Sequence, residues 1–358
     1  MEIVGTPHKT LIIRFSSVGD IVLSSLLLRV FHKRFPECRT DYLVKAECAD
    51  LVRHNPYLSR VIEFPSRDGL RDLWRLRRSV RREGYDLIVD IHNSLRSRFV
   101  CFGSRKVVRI RKRKVARFFL VKAKWNLYGV YGGAPGMAER YLETVRFLDV
   151  ENDGDGLEVF SPASARETAQ SILEREGVRP GGTFIGIAPT SRHFNKTWPG
   201  GRFAETASML AREQKAAVLL FGFGQEERAA CQEVKLLIEK QSPGVLAVNL
   251  ADRLSLPGTA AMMDLCSIVV ANDSGLMHLA AARKRKVVAI FGPTVRELGF
   301  FPYGTQSTVV EDMTVTCRPC THIGLSRCPK GHFRCMMNIS PAQVMEAARG
   351  LLTGVPVP

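Results

Sequence analysis

Short apolar runs alternate with longer amphipathic segments twice along this 358-residue chain, and that alternation narrows the fold more than any other feature. In the first series the runs lie at residues 10–15, 41–44, 61–64, 87–91 and 107–110, with helix-like stretches at 21–35, 70–82 and 138–148. The second follows Pro180-Gly181-Gly182, with runs at 184–188, 218–221, 247–250, 268–271 and 287–291 and helical stretches at 202–213, 226–241 and 276–283. Runs this short and rich in Val and Ile read as buried strands. Strand–helix alternation builds parallel sheets covered on both faces. The expected fold is α/β, with two Rossmann-like doubly wound domains facing a central cleft. Residues 151–156, acidic and Gly-rich, and then Ser161-Pro162 read as the linker. The first domain is thus placed at 1–160 and the second at 161–339, with a helix in 340–358, opened by Ser-Pro, near the hinge. Asp153-Gly154-Asp155 resembles a metal-binding Asp-x-Asp but lacks a preceding strand, so a solvated turn is expected.

Three strand ends carry the chemistry. The first runs into Ser16-Ser17-Val18-Gly19-Asp20 and directly on into a helix. Asp20 is either an N-terminal cap or a general base, since an ordinary Asp is ionised and able to take a proton. The second runs into Thr190-Ser191-Arg192, then Asn195-Lys196-Thr197-Trp198-Pro199. There Thr190 and Ser191 offer hydroxyls and Lys196 a point charge to a phosphate; the plainer reading is a surface lysine and a Trp-Pro helix staple. The third is Asn272-Asp273-Ser274-Gly275-Leu276-Met277-His278. A strand handing over to a helix start converges free N–H groups and the positive helix end, which suits a diphosphate. Gly275 permits close approach and Ser274 adds a donor, although either Asp273 or Ser274 could serve only as a cap.

The net charge of +17 is concentrated. Seven arginines lie between Arg67 and Arg82, and no acidic residue occurs between His92 and Ala138. The stretch 105–124 mixes Lys and Arg with Phe118, Phe119 and Leu120, with Trp125 just beyond, which suits an anionic surface such as a membrane or a phosphorylated glycolipid. A solvated basic face is the plainer reading. Nucleic acid is disfavoured, because no recognised binding motif accompanies the charge. No apolar run reaches a membrane-spanning length, Met1 to Lys9 lacks a signal core, and the nine cysteines are expected as reduced thiols, so a cytoplasmic location is expected.

Ser-Ser-Val-Gly-Asp, Asn-Lys-Thr-Trp-Pro and Asn-Asp-Ser-Gly-Leu-Met-His-Leu-Ala-Ala-Ala, in this order and with Phe291-Gly292-Pro293-Thr294 following, resemble glycosyltransferase family 9, the ADP-heptose:lipopolysaccharide heptosyltransferases. The third motif is most similar to the heptosyltransferase II branch. The resemblance implies the GT-B fold, with the acceptor on the first domain and the nucleotide sugar on the second. It makes Asp20 the catalytic base and places Ser16, Ser17 and Gly19 at the reacting centre. Thr190, Ser191, Lys196, Ser274 and Gly275 would hold the diphosphate, Asp273 would lie by the heptose hydroxyls, and His278 just beneath. After Gly222, one of Glu226 and Glu227 would meet the ribose, with Glu226 the first choice, and Leu254 would pack on adenine. Inverting, metal-independent transfer from ADP-L-glycero-D-manno-heptose to an anionic lipopolysaccharide precursor follows, at the cytoplasmic face of the inner membrane and with no required cofactor. Another acceptor position or nucleotide sugar within the family is the alternative, and a non-catalytic nucleotide- or polyanion-binding protein a remote one. Cys317, Cys320, Cys328 and Cys335, within 19 positions, are expected either as free thiols or as a structural zinc site.

Overall fold

The computed structural model describes residues 5–65, 69–178 and 181–354; Arg67 and Pro180 lie outside the described residues. The chain forms two compact units: Met1–Lys112 with Met137–Phe160, and Arg113–Gly136 with Ser161–Pro358.

In the first unit, β1 (Lys9–Ile13), β2 (Arg39–Lys45), β3 (Arg60–Phe64), β4 (Leu87–Asp90) and β5 (Val107–Arg109) form one parallel sheet in the order β3-β2-β1-β4-β5. Its helices are α1 (Val18–Leu23), α2 (Ser25–Arg34), α3 (Asp50–Arg53), α4 (Leu70–Glu83) and α5 (Leu95–Val100), and, after α6 (Lys114–Lys122) of the other unit, α7 (Met137–Leu142). Leu11, Ile13, Leu43 and Ile88 meet Leu73, Leu76 and Val80 of α4 in the core. The spacing of those three α4 residues, on one face of a helix, is what seats α4 on the sheet.

The second unit holds β6 (Phe184–Ala188), β7 (Ala217–Leu220), β8 (Ala247–Asn249), β9 (Cys266–Asn272), β10 (Lys286–Phe291) and β11 (Ser307–Glu311), parallel in the order β11-β10-β9-β6-β7-β8. Its helices, besides α6, are α8 (Ala163–Arg175), α9 (Gly200–Gln214), α10 (Gly224–Gln241), α11 (Leu256–Met263), α12 (Gly275–Ala282), α13 (Arg334–Met337) and α14 (Pro341–Thr353). In both sheets the order reverses beside the first strand, which is the doubly wound arrangement expected; strands end at loops that start helices, so reactive side chains gather there.

Several details differ from expectation. The helix over 21–35 is two helices, α1 and α2, parted at Ser24. The Ser24 hydroxyl donates back to the Ile21 carbonyl at 2.7 Å and meets the Tyr42 hydroxyl at 2.8 Å. The helix over 138–148 stops at Leu142. Strand β11, half-buried and mixed in sequence, was not expected. The segment 113–136 groups with the second unit rather than the first. Ala116, Leu120 and Tyr128 are buried with Leu298, and the Lys124 ammonium donates to the Pro319 carbonyl at 2.6 Å. Helix α14 packs within the second unit, on α9 and on strands β9, β10 and β11, with Val344 and Ala348 wholly buried. The Asp153-Gly154-Asp155 stretch is exposed as expected, but the Asp153 side chain is turned inward. The buried Arg29 of α2 needs a counter-charge, and two of its nitrogens donate to the Asp153 carboxylate at 2.8 Å each, with Lys33 at 2.6 Å.

Candidate active site

In the first unit the loop after β1 starts α1, and Asp20 is the third residue of that helix. Its Oδ2 accepts from the Ser17 backbone N–H at 3.2 Å and from the Ser17 hydroxyl at 2.9 Å. Ser17 is therefore the cap and Asp20 the acid that reaches back to it. The capping reading is realised, but more is assembled there. Arg14, at the end of β1, places Nη2 2.6 Å from the same oxygen, and its Nη1 donates to the Ile91 carbonyl. The Tyr141 hydroxyl of α7 donates to Oδ1 at 3.1 Å. Burial pushes the Asp20 carboxyl up, but the Arg14 charge and the Ser17 bonds outweigh it, so it lies below the usual Asp value and is ionised. His92 stands nearby, its ring 4.9 Å from that of Phe15, and burial together with the Arg14 and Lys112 charges pushes it down to about 3, so it is neutral. Ser16 is half-buried and Gly19 buried in the same turn.

In the second unit the ends of β6 and β9 lie side by side, with Ala188 paired to Ala271. Asn272 locks the two loops together: its amide donates to the Pro189 carbonyl at 2.9 Å and its carbonyl accepts from the Trp198 N–H at 3.0 Å. Trp198 is wholly buried and donates from its ring to Ile339, so the Trp-Pro staple is present. It also delivers Lys196, whose Nζ is 2.6 Å from Asp273 Oδ2. Thr294 donates to that oxygen at 2.6 Å, and the Ser191 hydroxyl donates to the Asp273 carbonyl at 3.3 Å. Thr190 and Ser274 carry buried hydroxyls that have no partner among the described residues. Ser274 is the cap residue of α12 without making a side-chain cap bond, and Gly275 opens that helix. His278 is buried one turn further on, its ring edge toward Phe300.

The remaining sequence candidates lie on the loops after β7 and β8. Glu227 accepts from the Phe223 N–H at 2.8 Å, and a Cβ at Gly222 would stand 3.0 Å from the Glu227 Cβ, so a larger residue there would require Glu227 to shift. Glu226 is exposed, whereas Leu254 is buried against Gly258. The structure thus gathers Thr190, Ser191, Lys196, Asp273, Ser274 and Gly275, and separately Ser17 and Asp20. Arg14, Tyr141, Thr294 and Asn272 were missed as site residues.

The cysteine segment does not support the structural zinc. Among the described residues no three His, Cys, Asp or Glu side chains are placed to hold a metal ion, and the cysteines are free thiols. Cys320 is within 3.8 Å of the Asn195 amide and Cys317 within 3.8 Å of the His332 ring. Burial, with the neighbouring Cys320, pushes the Cys335 thiol up to about 12.

Two doubly wound units, one with an ionised Asp at a helix start and the other with a helix start ringed by hydroxyls and a lysine, define a GT-B glycosyltransferase. The model of glycosyltransferase family 9 (heptosyltransferase) matches residues 73–329. The chain belongs to that family. It is similar to lipooligosaccharide heptosyltransferase 2 of Haemophilus influenzae, with 30% identity covering 96% of this chain and 99% of that one. Among solved structures it resembles a family 9 glycosyltransferase from Veillonella parvula, with a TM-score of 0.79 at 20% identity and 97% of each chain covered. It also resembles the E. coli ADP-heptose lps heptosyltransferase II, with a TM-score of 0.72 at 24% identity, covering 97% of this chain and 99% of that one.

Proposed function

We propose that the protein is a heptosyltransferase II, moving heptose from ADP-L-glycero-D-manno-heptose to a sugar hydroxyl of the lipopolysaccharide inner core, with inversion and without a catalytic metal. The observation that carries this reading is the Asp20 carboxylate. Its Oδ2 is occupied by Arg14 and Ser17, while Oδ1 accepts from Tyr141 and has a lone pair left for an acceptor hydroxyl. As that hydroxyl oxygen attacks the anomeric carbon, Asp20 takes its proton and the bond from the anomeric carbon to the diphosphate oxygen breaks. The departing charge falls to Lys196, to the hydroxyls of Thr190, Ser191 and Ser274, and to the N–H groups that open α12. Asp273 keeps Lys196 in place and lies by the heptose hydroxyls. Leu254 packs on adenine, and Glu226, the exposed acid of its pair, meets the ribose.

The acceptor is an anionic glycolipid, so the enzyme works as a peripheral protein on the cytoplasmic face of the inner membrane. No helix among the described residues is long and apolar enough to cross a membrane. General-base help is worth about 10²–10⁴ in rate, and a base with a lowered pKa contributes toward the smaller figure. Asp20→Ala is therefore expected to lose about 100-fold in ADP release from ADP-heptose and a truncated lipopolysaccharide acceptor, while binding ADP as before. Turnover near that of the unaltered enzyme would remove Asp20 from the role.

A further inference from the structure

Helix α4 is the most heavily charged in the chain, and the family's chemistry leaves its outer face unexplained. Leu73, Leu76 and Val80 face the sheet, which turns Arg71, Arg75, Arg78 and Arg82 to solvent. The one acid in its last turn, Glu83, is taken up by Lys9 at 2.6 Å and Arg60 at 2.8 Å, and Asp72 in the first turn meets Arg75 at 3.4 Å. Two acids thus stand against six arginines on this helix, and the face stays strongly basic. Large apolar side chains stand exposed beside them. Leu70 is 79% exposed, Trp74 57%, Leu95 at the start of α5 86%, and Phe102 just after α5 67%. Trp74 meets Phe99 edge-on at 5.1 Å, and the Arg77 guanidinium sits 4.8–5.2 Å from the rings of Trp74, Phe99 and Phe102. Arg77 also donates to the Phe102 carbonyl at 3.2 Å, so the aromatic group is a fixed feature and not a loose tip.

We infer that this α4–α5 face of the first unit is the surface that docks on an anionic lipid bilayer. Aliphatic and aromatic side chains flanked by arginines match the boundary between acyl chains and headgroups, where Trp is favoured and cations meet lipid phosphates. A nucleic acid would need several open ring faces in a row for its bases, whereas here Trp74 meets Phe99 edge-on and one side of each ring is taken by the single Arg77 guanidinium. Two shallow depressions open on this face. One is lined by Arg75, Arg78, Ser79, Arg82 and Glu83, the last already paired with Lys9 and Arg60. The other is lined by Arg98, Phe102 and Arg109, the last 3.7 Å from Asp90; both present guanidinium groups to a phosphate. The basic segment 105–124, by contrast, commits Ala116 and Leu120 to the core of the second unit and stacks Phe119 on Trp125. Its apolar side chains are thus partly spent on packing. The inference deepens the proposed function, on which it rests for a membrane-borne acceptor.

The test uses the full chain and vesicles of phosphatidylethanolamine and phosphatidylglycerol, with neutral phosphatidylcholine vesicles as the control. Trp198 is buried, so Trp125→Phe leaves Trp74 as the exposed indole and Trp74→Phe leaves Trp125. With lipids brominated on the acyl chain, the Trp125→Phe protein is expected to be quenched and blue-shifted on anionic vesicles and the Trp74→Phe protein far less so. The reverse pattern would move the surface to the α6 segment and overturn the inference. Arg75→Glu with Arg78→Glu is expected to weaken vesicle partitioning by on the order of 20-fold or more, at about 5-fold per lost charge. Binding should also fall steeply between 0.1 M and 1 M salt as screening shortens. Unchanged partitioning in a variant that melts normally would refute the assignment, as would equal capture by an acidic protein or by single-stranded nucleic acid in place of vesicles. Transfer to a delipidated, water-soluble acceptor is expected to be unchanged in these variants. If the unaltered protein binds vesicles through Trp74 but transfers no heptose, the proposed activity fails and the surface stands.

Discussion

Lys196→Met tests whether the second site is organised by a buried ion pair. Lys196 and Asp273 are 12% and 6% exposed at their side chains and 2.6 Å apart. Removing one partner of a buried pair costs about 3–5 kcal/mol, because the other charge is left without water or a counter-ion. The Thr294 hydroxyl still donates to Asp273 in the variant, which favours the lower figure, about 3 kcal/mol. For a unit of about 220 residues, each kcal/mol moves the melting midpoint by about 2–4 °C, so the expected loss is about 6–12 °C. Scanning calorimetry of the full chain reads this as a displaced transition of the second unit. Adding Asp273→Asn removes the stranded charge and is expected to recover most of the loss, although either change alone is destabilising. ADP binding separates the structural work of the pair from its work on the donor. A charged hydrogen bond is worth about 1.5–3 kcal/mol, so Lys196→Met alone and with Asp273→Asn should both lose about 10–150-fold in ADP affinity. A single variant that melts within 2 °C of the unaltered protein (roughly the effect of a neutral surface change), or a double variant no better than the single, would refute the reasoning.

Arg14→Met removes the charge that keeps Asp20 low against its own burial, so the Asp20 carboxyl is expected to rise. Asp20 must be ionised to take a proton, so the acid limb of the kcat/KM profile should move to higher pH; a profile that matches the unaltered enzyme would free Arg14 of this role. Glu83 is held at about 2 by the Lys9 and Arg60 bonds against burial, below its ordinary 4.5. The stability it lends is present above 4.5 and is lost as pH falls toward 2, so Glu83→Gln should flatten the melting of the first unit across that window. Identical acid slopes would contradict the pairing. Transfer is expected to survive EDTA, and strict dependence on added Mg²⁺ or Mn²⁺ would count against the metal-free mechanism.

The strand–helix alternation was legible because each buried strand is a continuous apolar run, and because helix starts are marked by Ser, Pro or Gly. Strand β11 was not, since an edge strand is covered less and keeps Ser, Thr and Glu among its Val residues. The third-motif residues were legible as the start of a helix directly after a strand, which is where β9 hands over to α12. Their partners were legible only in part. Thr294 lies 21 residues beyond Asp273 and is brought to it by the pairing of β9 with β10. Tyr141 lies 121 residues beyond Asp20, and no local pattern marks it. Arg14 carried a signal that was passed over: a cation ending an apolar run, directly before a turn that ends in Asp. The Arg29–Asp153 pair was missed for the opposite reason, since two flexible acidic residues beside glycines look solvated until a buried arginine is known to face them.

Asp20 and Asp273 share one electrostatic device. Each lies at the start of a helix that follows a parallel strand, where the helix end favours negative charge. Each has a cation at 2.6 Å and hydroxyl donors beside it, Arg14 with Ser17 and Tyr141 at Asp20 and Lys196 with Thr294 at Asp273. The difference lies in the cation. Arginine cannot lose its proton and meets Asp20 through Nη2 while Nη1 is tied to the Ile91 carbonyl, whereas the lysine ammonium has three rotatable donors and can serve a second anion without leaving Asp273. Thr190 and Ser274 sharpen the contrast. Each holds a buried hydroxyl without a partner among the described residues, a cost of about 1–3 kcal/mol apiece that phosphate oxygens would remove. On the proposed reading, Asp20 keeps one charge state until the acceptor proton arrives, and the Asp273 cluster takes on and releases the negative charge of a donor diphosphate.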